Sequence, residues 1–310
     1  MQPPRLTTFH NQTGFKDGTG EGTYVTAKYR TAVVANRRMY IGHTQSLPQS
    51  GYGNAGEVKG DRILKSLPND FDTFPEDRHL DVAVQDGDEI VKLETYADRI
   101  LQFKTKKLQI INVSEDVEFL EATYDFKGIS RPAGSCPTDF GIVWANLTGA
   151  YFYDGQRVHN LIEKEGNKLI SDAKWRDFAL TTINASGNDH NNCNIAVGYL
   201  PKERAVLFLN NTERGNGSRD IYYYDMVHQC WTFGETRFPE ISGNMRYSNF
   251  VNDWNGDLTI CRDTGSTSSP AMYFYKWDNT PADSDIQLIT KDIDFGEPGV
   301  RKKIYRVHIT

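Results

Sequence analysis

Short runs of β-branched and aromatic residues follow one another along almost the whole chain from Thr23 onward, broken by Gly, Asn, Asp and Pro. Such runs are typical of β-strands separated by turns. Residues 88–96, 99–104 and 107–113 show the pattern clearly, with only two residues between consecutive runs. Connections this short join neighbouring antiparallel strands, so the sequence predicts a local three-stranded meander.

The same pattern predicts three further meanders. Their strands lie at 140–146, 150–153 and 157–162; at 194–199, 204–209, 220–225 and 230–233; and at 247–251, 257–261 and 271–276. Each of these meanders carries an aromatic unit, namely Tyr151-Phe-Tyr-Asp-Gly155, Ile221-Tyr-Tyr-Tyr-Asp225 or Met272-Tyr-Phe-Tyr-Lys276. A small antiparallel unit that recurs in this way is typical of propeller blades.

We therefore expect an all-β fold in which residues 23–310 form a β-propeller-like array of three- to four-stranded antiparallel meanders. The aromatic units are expected to wedge between neighbouring sheets, because only stacked sheets can bury both faces of such small units. A β-sandwich with many hairpins is the alternative.

Three segments depart from the strand pattern. Residues 1–22 are polar and Gly-rich, and their G-x-G-x-G spacing lacks the preceding strand and the Lys-Ser/Thr of a phosphate loop, so we expect a flexible arm or loop. Residues 45–60 contain Pro48 and several glycines and are predicted to be an exposed loop. Residues 164–174 have some helical periodicity, but Gly166 and Asn167 interrupt it and leave at most a turn or two before Trp175.

Composition narrows the choice of partners. The 310 residues carry a formal net charge of −6, which argues against a surface that binds nucleic acid tightly, because duplex binding relies on clustered Lys and Arg. No run of apolar residues is long enough to cross a membrane as a helix, so no membrane-spanning segment is expected. The widely spaced Cys136, Cys193, Cys230 and Cys261 are expected to be free thiols.

The sequence offers no recognisable catalytic signature. It contains neither a G-x-S-x-G elbow nor an H-E-x-x-H motif, and its seven histidines are scattered. Asp253-Trp-Asn-Gly-Asp257 has oxygen ligands at alternating positions, as in a calcium loop, but an Asn-Gly hairpin turn explains it better. We therefore predict no enzyme, with no catalytic, cofactor-binding or metal-binding residues and no cofactor.

Several motifs in the first third of the chain resemble those of a known protein family. They are Asn36-Arg-Arg-Met-Tyr-Ile-Gly42, Gly60-Asp-Arg-Ile-Leu-Lys-Ser66, Asp70-Phe-Asp-Thr-Phe-Pro75 and Tyr96-Ala-Asp-Arg-Ile-Leu-Gln-Phe-Lys104. Together with Gly141-Ile-Val-Trp-Ala-Asn146, Thr290-Lys-Asp-Ile-Asp-Phe-Gly296 and Lys302-Lys-Ile-Tyr305, they resemble tail proteins of the nozzle or stabilisation type from short-tailed bacteriophages. Members of that family are generally longer, so the resemblance implies that this segment belongs to a larger polypeptide.

The resemblance implies a function as a virion structural protein. The chain would be made in the host cytoplasm and would form a homo-oligomeric part of the tail, in contact with adaptor and tail-fibre proteins. Genomic DNA would pass through its exit channel without specific binding, which an acidic wall would favour because it repels phosphates. The alternative is a carbohydrate-binding or glycan-hydrolysing propeller used in host recognition, which would need a pocket with two close carboxylates.

Overall fold

The computed structural model describes residues 28–45, 58–71, 74, 78–82, 86–115, 117–180, 193, 195–210, 219–238, 247–263 and 272–277. All of them lie in one unit, Met1–Trp277, whereas the second unit, Asp278–Thr310, lies outside the described residues. The expected arm at 1–22 and the phage-like motifs at 290–296 and 302–305 therefore also lie outside them.

The described residues form five antiparallel meanders, which we call blades 1 to 5, and in each of them the strands pair in chain order. Blade 1 consists of β1 (Lys28–Ala35), β2 (Arg38–Gln45), β3 (Val58–Lys65) and β4 (His79–Asp81). Blade 2 consists of β5 (Ile90–Tyr96), β6 (Arg99–Lys104), β7 (Lys107–Asn112) and β8 (Phe119–Asp125). Blade 3 consists of β9 (Ser135–Thr138), β10 (Gly141–Asn146), β11 (Gly149–Tyr153) and β12 (Val158–Asn160).

A short insertion separates blade 3 from blade 4. It contains the two-stranded hairpin of β13 (Glu163–Lys164) and β14 (Asn167–Lys168), followed by helix α1 (Asp172–Ala179). Blade 4 consists of β15 (Ile195–Leu200), β16 (Ala205–Asn210), β17 (Arg219–Asp225) and β18 (Cys230–Phe238). Blade 5 has three described strands, β19 (Tyr247–Asn252), β20 (Leu258–Asp263) and β21 (Met272–Lys276).

Consecutive blades stack face to face. The first strands of neighbouring blades contact each other at three of the four junctions: β1 with β5, β9 with β15, and β15 with β19. At the junction of blades 2 and 3, the first strand β5 contacts the second strand β10. Four buried apolar clusters fill the four spaces between consecutive blades. Blade 2 thus has a core on each face, with Ile100 and Ile111 buried toward blade 1 and Leu101 and Phe103 buried toward blade 3.

Cores in series distinguish this fold from a β-sandwich, in which two sheets share a single core. The all-β, β-propeller-like array predicted from the sequence is confirmed, and every strand predicted from the sequence overlaps an observed one. The sequence analysis assigned no strand bounds to blade 1 or to the β13–β14 hairpin. It also did not predict β8 and β9, which complete blades 2 and 3 as four-stranded sheets.

The aromatic units occupy the third strands of their blades, as expected. Tyr151 and Tyr153 of β11 are buried between blades 2 and 3, and Tyr222 and Tyr224 of β17 are buried between blades 3 and 4. In β21 the prediction holds for one aromatic residue only: Tyr275 packs against the cluster between blades 4 and 5, whereas Phe274 is 75% exposed. The first two units each have a fourth strand beside them, β12 or β18, whereas β21 is the last described strand of its sheet.

Two local predictions need correction. The predicted loop at 45–60 ends earlier than expected, since residues 58–60 belong to β3; residues 46–57 lie outside the described residues. The interruption at Gly166 and Asn167 marks a hairpin turn, with Glu165 and Gly166 at φ of +51° and +78°, rather than the middle of a helix. The helix begins later, after Ser171, whose Oγ accepts a hydrogen bond from the N–H of Lys174.

Candidate functional site

Polar contacts join the first strands of blades 2 and 3. Lys92 of β5 donates from Nζ to the main-chain oxygen of Ser135 at 2.9 Å and pairs with Oε1 of Glu94 at 2.6 Å. Ser135 Oγ donates to the same carboxylate at 3.2 Å. Glycoside hydrolysis of the usual type needs two carboxyl groups facing one bond, whereas Glu94 is here engaged by a lysine and a serine. The arrangement connects two blades and resembles a structural link more than a catalytic pair.

A second contact joins blades 3 and 4 near their first strands. Tyr199 OH donates to Oδ2 of Asp139 at 2.9 Å. Burial of the phenol, together with this hydrogen bond and the adjacent carboxylate, raises the pKa of Tyr199 to about 12. Tyr199 is therefore a neutral donor at physiological pH, and its contact also fixes blade position.

Two histidines pair with aspartates in equivalent turns, a relationship that the sequence did not reveal. The turn after β11 contains Asp154, whose Oδ2 lies 2.7 Å from Nε2 of His159, and the turn after β17 contains Asp225, whose Oδ2 lies 2.7 Å from Nδ1 of His228. In both turns the other carboxylate oxygen accepts the main-chain N–H groups two and three residues further on. The recurring Tyr-x-Tyr-Asp sequence that precedes each turn was the available signal.

A groove of about 930 Å³ opens between these two turns. One wall is formed by β12 of blade 3, a second by the β13–β14 hairpin, and the third by the turn after β17 in blade 4. The apolar side chains that line it are Phe152, Val158, Leu161, Leu169, Tyr224 and Met226. The polar side chains that line it are Arg157, His159, Asn160, Glu163, Lys164, Glu165 and Gln229.

The walls of the groove are held in place by hydrogen bonds from both blades. Trp231 of β18 donates from Nε1 to the main-chain oxygen of Leu161 at 2.9 Å, which ties blade 4 to the floor. Burial alone would raise the pKa of Asp154, but hydrogen bonds from the main-chain N–H groups of Arg157 and Gln156 and from His159 lower it to about 2. Asp154 is therefore ionised at neutral pH and holds His159 at the rim, where the imidazole stacks on Phe152.

The remaining motifs of the sequence have structural explanations. Asp253 Oδ1 accepts the N–H groups of Asn255 and Asp257, as an ordinary hairpin turn requires, and Asp257 is paired with Lys202 and Lys276. In the part of the chain that the structure describes, no three His, Cys, Asp or Glu side chains converge as metal ligands would.

None of the four cysteines forms a disulfide with another, and burial raises the pKa of both Cys136 and Cys193 to about 12. Among the described helices, none is long and apolar enough to cross a bilayer.

Comparisons with known proteins give no family. No protein-family profile matches the chain, and no curated protein matches its sequence. Among solved structures, it is similar to the extracellular domain of a hybrid two-component system protein from B. thetaiotaomicron, with 14% identity and a TM-score of 0.43 over 82% of this chain and 32% of that one. The chain thus spans about a third of the length of the first structures it matches.

Two further solved structures are similar to the chain. One is CoXyl43, a β-xylosidase/α-arabinofuranosidase from a compost microbial metagenome, with 11% identity and a TM-score of 0.31 over 86% of this chain and 96% of that one. The other is the WD40 domain of SCAP from fission yeast, with 7% identity and a TM-score of 0.31 over 80% of this chain and 74% of that one.

Proposed function

We propose that this chain is a structural component of a bacteriophage tail that docks copies of itself and neighbouring tail proteins around a DNA exit channel. The motif resemblance supports the proposal on the side of the sequence. Its structural support is one observation at the end of β8, where the side chain of Phe126 is exposed while its main chain is held by blade 3.

Phe126 is 73% exposed and has a φ of +61°, a left-handed conformation that is costly for a bulky residue. Its main-chain oxygen is fixed by blade 3, accepting from Nδ2 of Asn146 at 3.0 Å and from Oγ1 of Thr148 at 3.3 Å. An aromatic side chain that is exposed while its backbone is held rigidly is suited to anchor a partner, because little entropy is lost when it is buried there.

Other exposed apolar side chains lie at the opposite end of β8 from Phe126, at its first residues and just before them. Val117, Phe119 and Leu120 are 75%, 50% and 45% exposed. Exposed apolar side chains on a strand at the edge of a sheet are suited to contact another protein. We therefore place the contact with a second copy of the chain at β8 and Phe126.

The proposal excludes catalysis and specific DNA binding. The net charge of −6 disfavours tight binding of duplex DNA, and Glu94, the carboxylate between the first strands of blades 2 and 3, is engaged by Lys92 and Ser135. The second candidate, a carbohydrate-binding or glycan-hydrolysing propeller, is favoured by the groove between blades 3 and 4.

The test is the native mass and symmetry of the assembled particle, measured by mass spectrometry and electron microscopy. We expect a closed oligomer around an axial channel, and we expect Phe126→Ser to shift it toward monomer. Val227→Ser is the matched control, because Val227 is exposed in a turn of blade 4 and lies away from β8. A protein that stays monomeric at all accessible concentrations, alone and with tail extracts, would contradict the proposal.

A further inference from the structure

The groove between blades 3 and 4 is lined by equal numbers of positively and negatively charged side chains. Arg157 and Lys164 carry positive charges on its lining, and Glu163 and Glu165 carry negative ones. The four charges cancel, so a ligand with a net charge of either sign is attracted by one pair and repelled by the other. A hydroxyl group has no such conflict, since it donates to a carboxylate and accepts from a guanidinium or an ammonium group.

Uncharged polar groups reinforce this preference. Asn160 lines one wall and Gln229 lies on another, and each carboxamide can donate and accept. Vicinal hydroxyl groups, which present a donor and an acceptor side by side, match such side chains in pairs. The polar rim is therefore suited to a ligand with many hydroxyl groups.

Apolar side chains form the floor beneath this rim. Leu161 and Tyr224, one from each side of the groove, are mostly buried and are joined through Trp231, whose indole bonds to Leu161 and packs on the Tyr224 ring at 4.8 Å. A sugar ring presents C–H groups on its faces and hydroxyl groups on its edges, which corresponds to an apolar floor below a polar rim. A simple polyol has no apolar face to cover the floor, and an acyl chain has no polar edge to meet the rim.

The size and rigidity of the groove are those of a binding site. Its volume of about 930 Å³ is near the upper end of the range of roughly 300–1,000 Å³ for small-molecule sites, which is room for several sugar units. The main chain at Arg157 is fixed by Asp154, which accepts its N–H at 2.9 Å. The walls therefore exist before the ligand arrives, which lowers the entropic cost of binding.

We propose that this groove binds a neutral oligosaccharide, with hydroxyl groups on Arg157, Glu163, Glu165 and Gln229 and sugar faces against the apolar lining, where Leu169 is 46% exposed above the buried Leu161 and Tyr224. The site goes beyond the docking function and does not depend on it, because it lies between β12 and the β17 turn rather than at β8. Binding involves no covalent step.

The experiment uses the full chain and a panel of neutral hexasaccharides of glucose, xylose, mannose and galactose, with hexagalacturonate as the acidic counterpart. Binding is followed by tryptophan fluorescence, since Trp231 contacts the floor, and by calorimetry. We expect at least one neutral hexasaccharide to bind, with an affinity that is unchanged when sodium chloride is raised to about 1 M, where charges are screened beyond ~3 Å.

Two groove variants and one control test the location. Arg157→Gln and Glu165→Gln are each expected to weaken binding about tenfold, the effect of losing hydrogen bonds to a charged group. Arg176→Gln should leave it unchanged, because Arg176 is an exposed arginine of α1 that does not line the groove. Both groove residues are exposed, so their variants should fold, which circular dichroism verifies.

Three results would overturn the inference. They are an absence of binding by every neutral hexasaccharide, a preference for hexagalacturonate that disappears at high salt, or binding that both groove variants leave intact. None of these results bears on the oligomeric state, so a failure here is separable from a failure of the docking proposal.

Discussion

Trp175 of helix α1 donates its indole Nε1–H to the main-chain oxygen of Asn146 at 2.8 Å, and the indole is completely buried. This bond connects the insertion between blades 3 and 4 to the end of β10. The Trp175 ring also contacts Phe178, Phe208, Tyr222 and Trp231. Trp175 therefore closes the space between two blades, and helix α1 has a structural role in the stack.

Replacing Trp175 should test this role. Trp175→Phe removes the hydrogen bond, leaves the Asn146 oxygen without its indole donor and opens a small cavity, so we expect a loss of about 2 kcal/mol in the free energy of unfolding. Chemical denaturation measures the difference. Trp254→Phe is the matched control, because Trp254 is 93% exposed and the same change there should fall within ~0.5 kcal/mol. Equal effects at the two positions would contradict the assignment.

Asn146 itself joins three segments. Its Nδ2 donates to the main-chain oxygens of Phe126 at 3.0 Å and Gly128 at 2.9 Å, and its Oδ1 accepts the N–H of Thr148 at 2.8 Å. Asn146 begins an Asn-Leu-Thr sequon, and because its side chain is buried it could not carry a glycan. It fixes the connection between blades 2 and 3.

Asn146→Ala should therefore destabilise the fold strongly. The main-chain oxygen of Gly128 loses the Asn146 donor and the N–H of Thr148 loses its acceptor, whereas the Phe126 oxygen keeps Thr148 Oγ1 as a donor. Each unsatisfied buried group costs about 1–3 kcal/mol, so we expect a loss of about 3 kcal/mol in denaturant unfolding. Asn160→Ala is the control, since its side chain is half-buried and its hydrogen bonds are long, at 3.3 and 3.4 Å. If the two variants were equally stable, Asn146 would not connect the blades.

The blade pattern could be predicted because it is local. Two-residue turns and alternating apolar residues fix each meander without reference to the rest of the chain. Strand β8 escaped prediction because most of its side chains are exposed, so Phe119–Asp125 shows no alternation between buried and exposed positions. Strand β9 is four residues long and contains Pro137, which argues against a strand unless it lies at the edge of a sheet, as it does here.

The groove could not be predicted in the same way. Its residues come from two stretches, 152–169 and 224–229, which only the packing of blade 3 on blade 4 brings together. Arg157 and Gln229 are ordinary turn and strand-end residues when viewed along the sequence. The Tyr-x-Tyr-Asp repeat marks both turns beside the groove, but it does not reveal that they face each other.

Gly198 of β15 lies where blades 4 and 5 pack closely together. A Cβ atom there would lie 2.7 Å from Cγ of Phe250 and 2.9 Å from Cδ2 of Leu258. Gly198→Ala should therefore cost about 1–3 kcal/mol through overpacking, measured by denaturant unfolding. Gly134→Ala is the control, because its nearest contact would be 3.5 Å, an ordinary van der Waals distance. A neutral effect at Gly198 would show that blade 5 can move away from blade 4 at little cost.

The turn beside the groove should give the fold a defined pH dependence. Hydrogen bonds from Arg157, His159 and Gln156 outweigh burial and hold the pKa of Asp154 at about 2, below its ordinary value of 3.8. Between these values the unfolded chain binds more protons than the folded one, so the contribution of Asp154 to stability is present above pH 4 and is lost as the pH falls toward 2.

Asp154→Asn should remove this contribution, so the unfolding free energy of this variant should fall less than that of the unaltered protein between pH 5 and about 3. Asp98→Asn, a change in an exposed turn of blade 2, should keep the full slope. Parallel pH profiles for Asp154→Asn and the unaltered protein would show that the carboxylate is not held ionised by its turn.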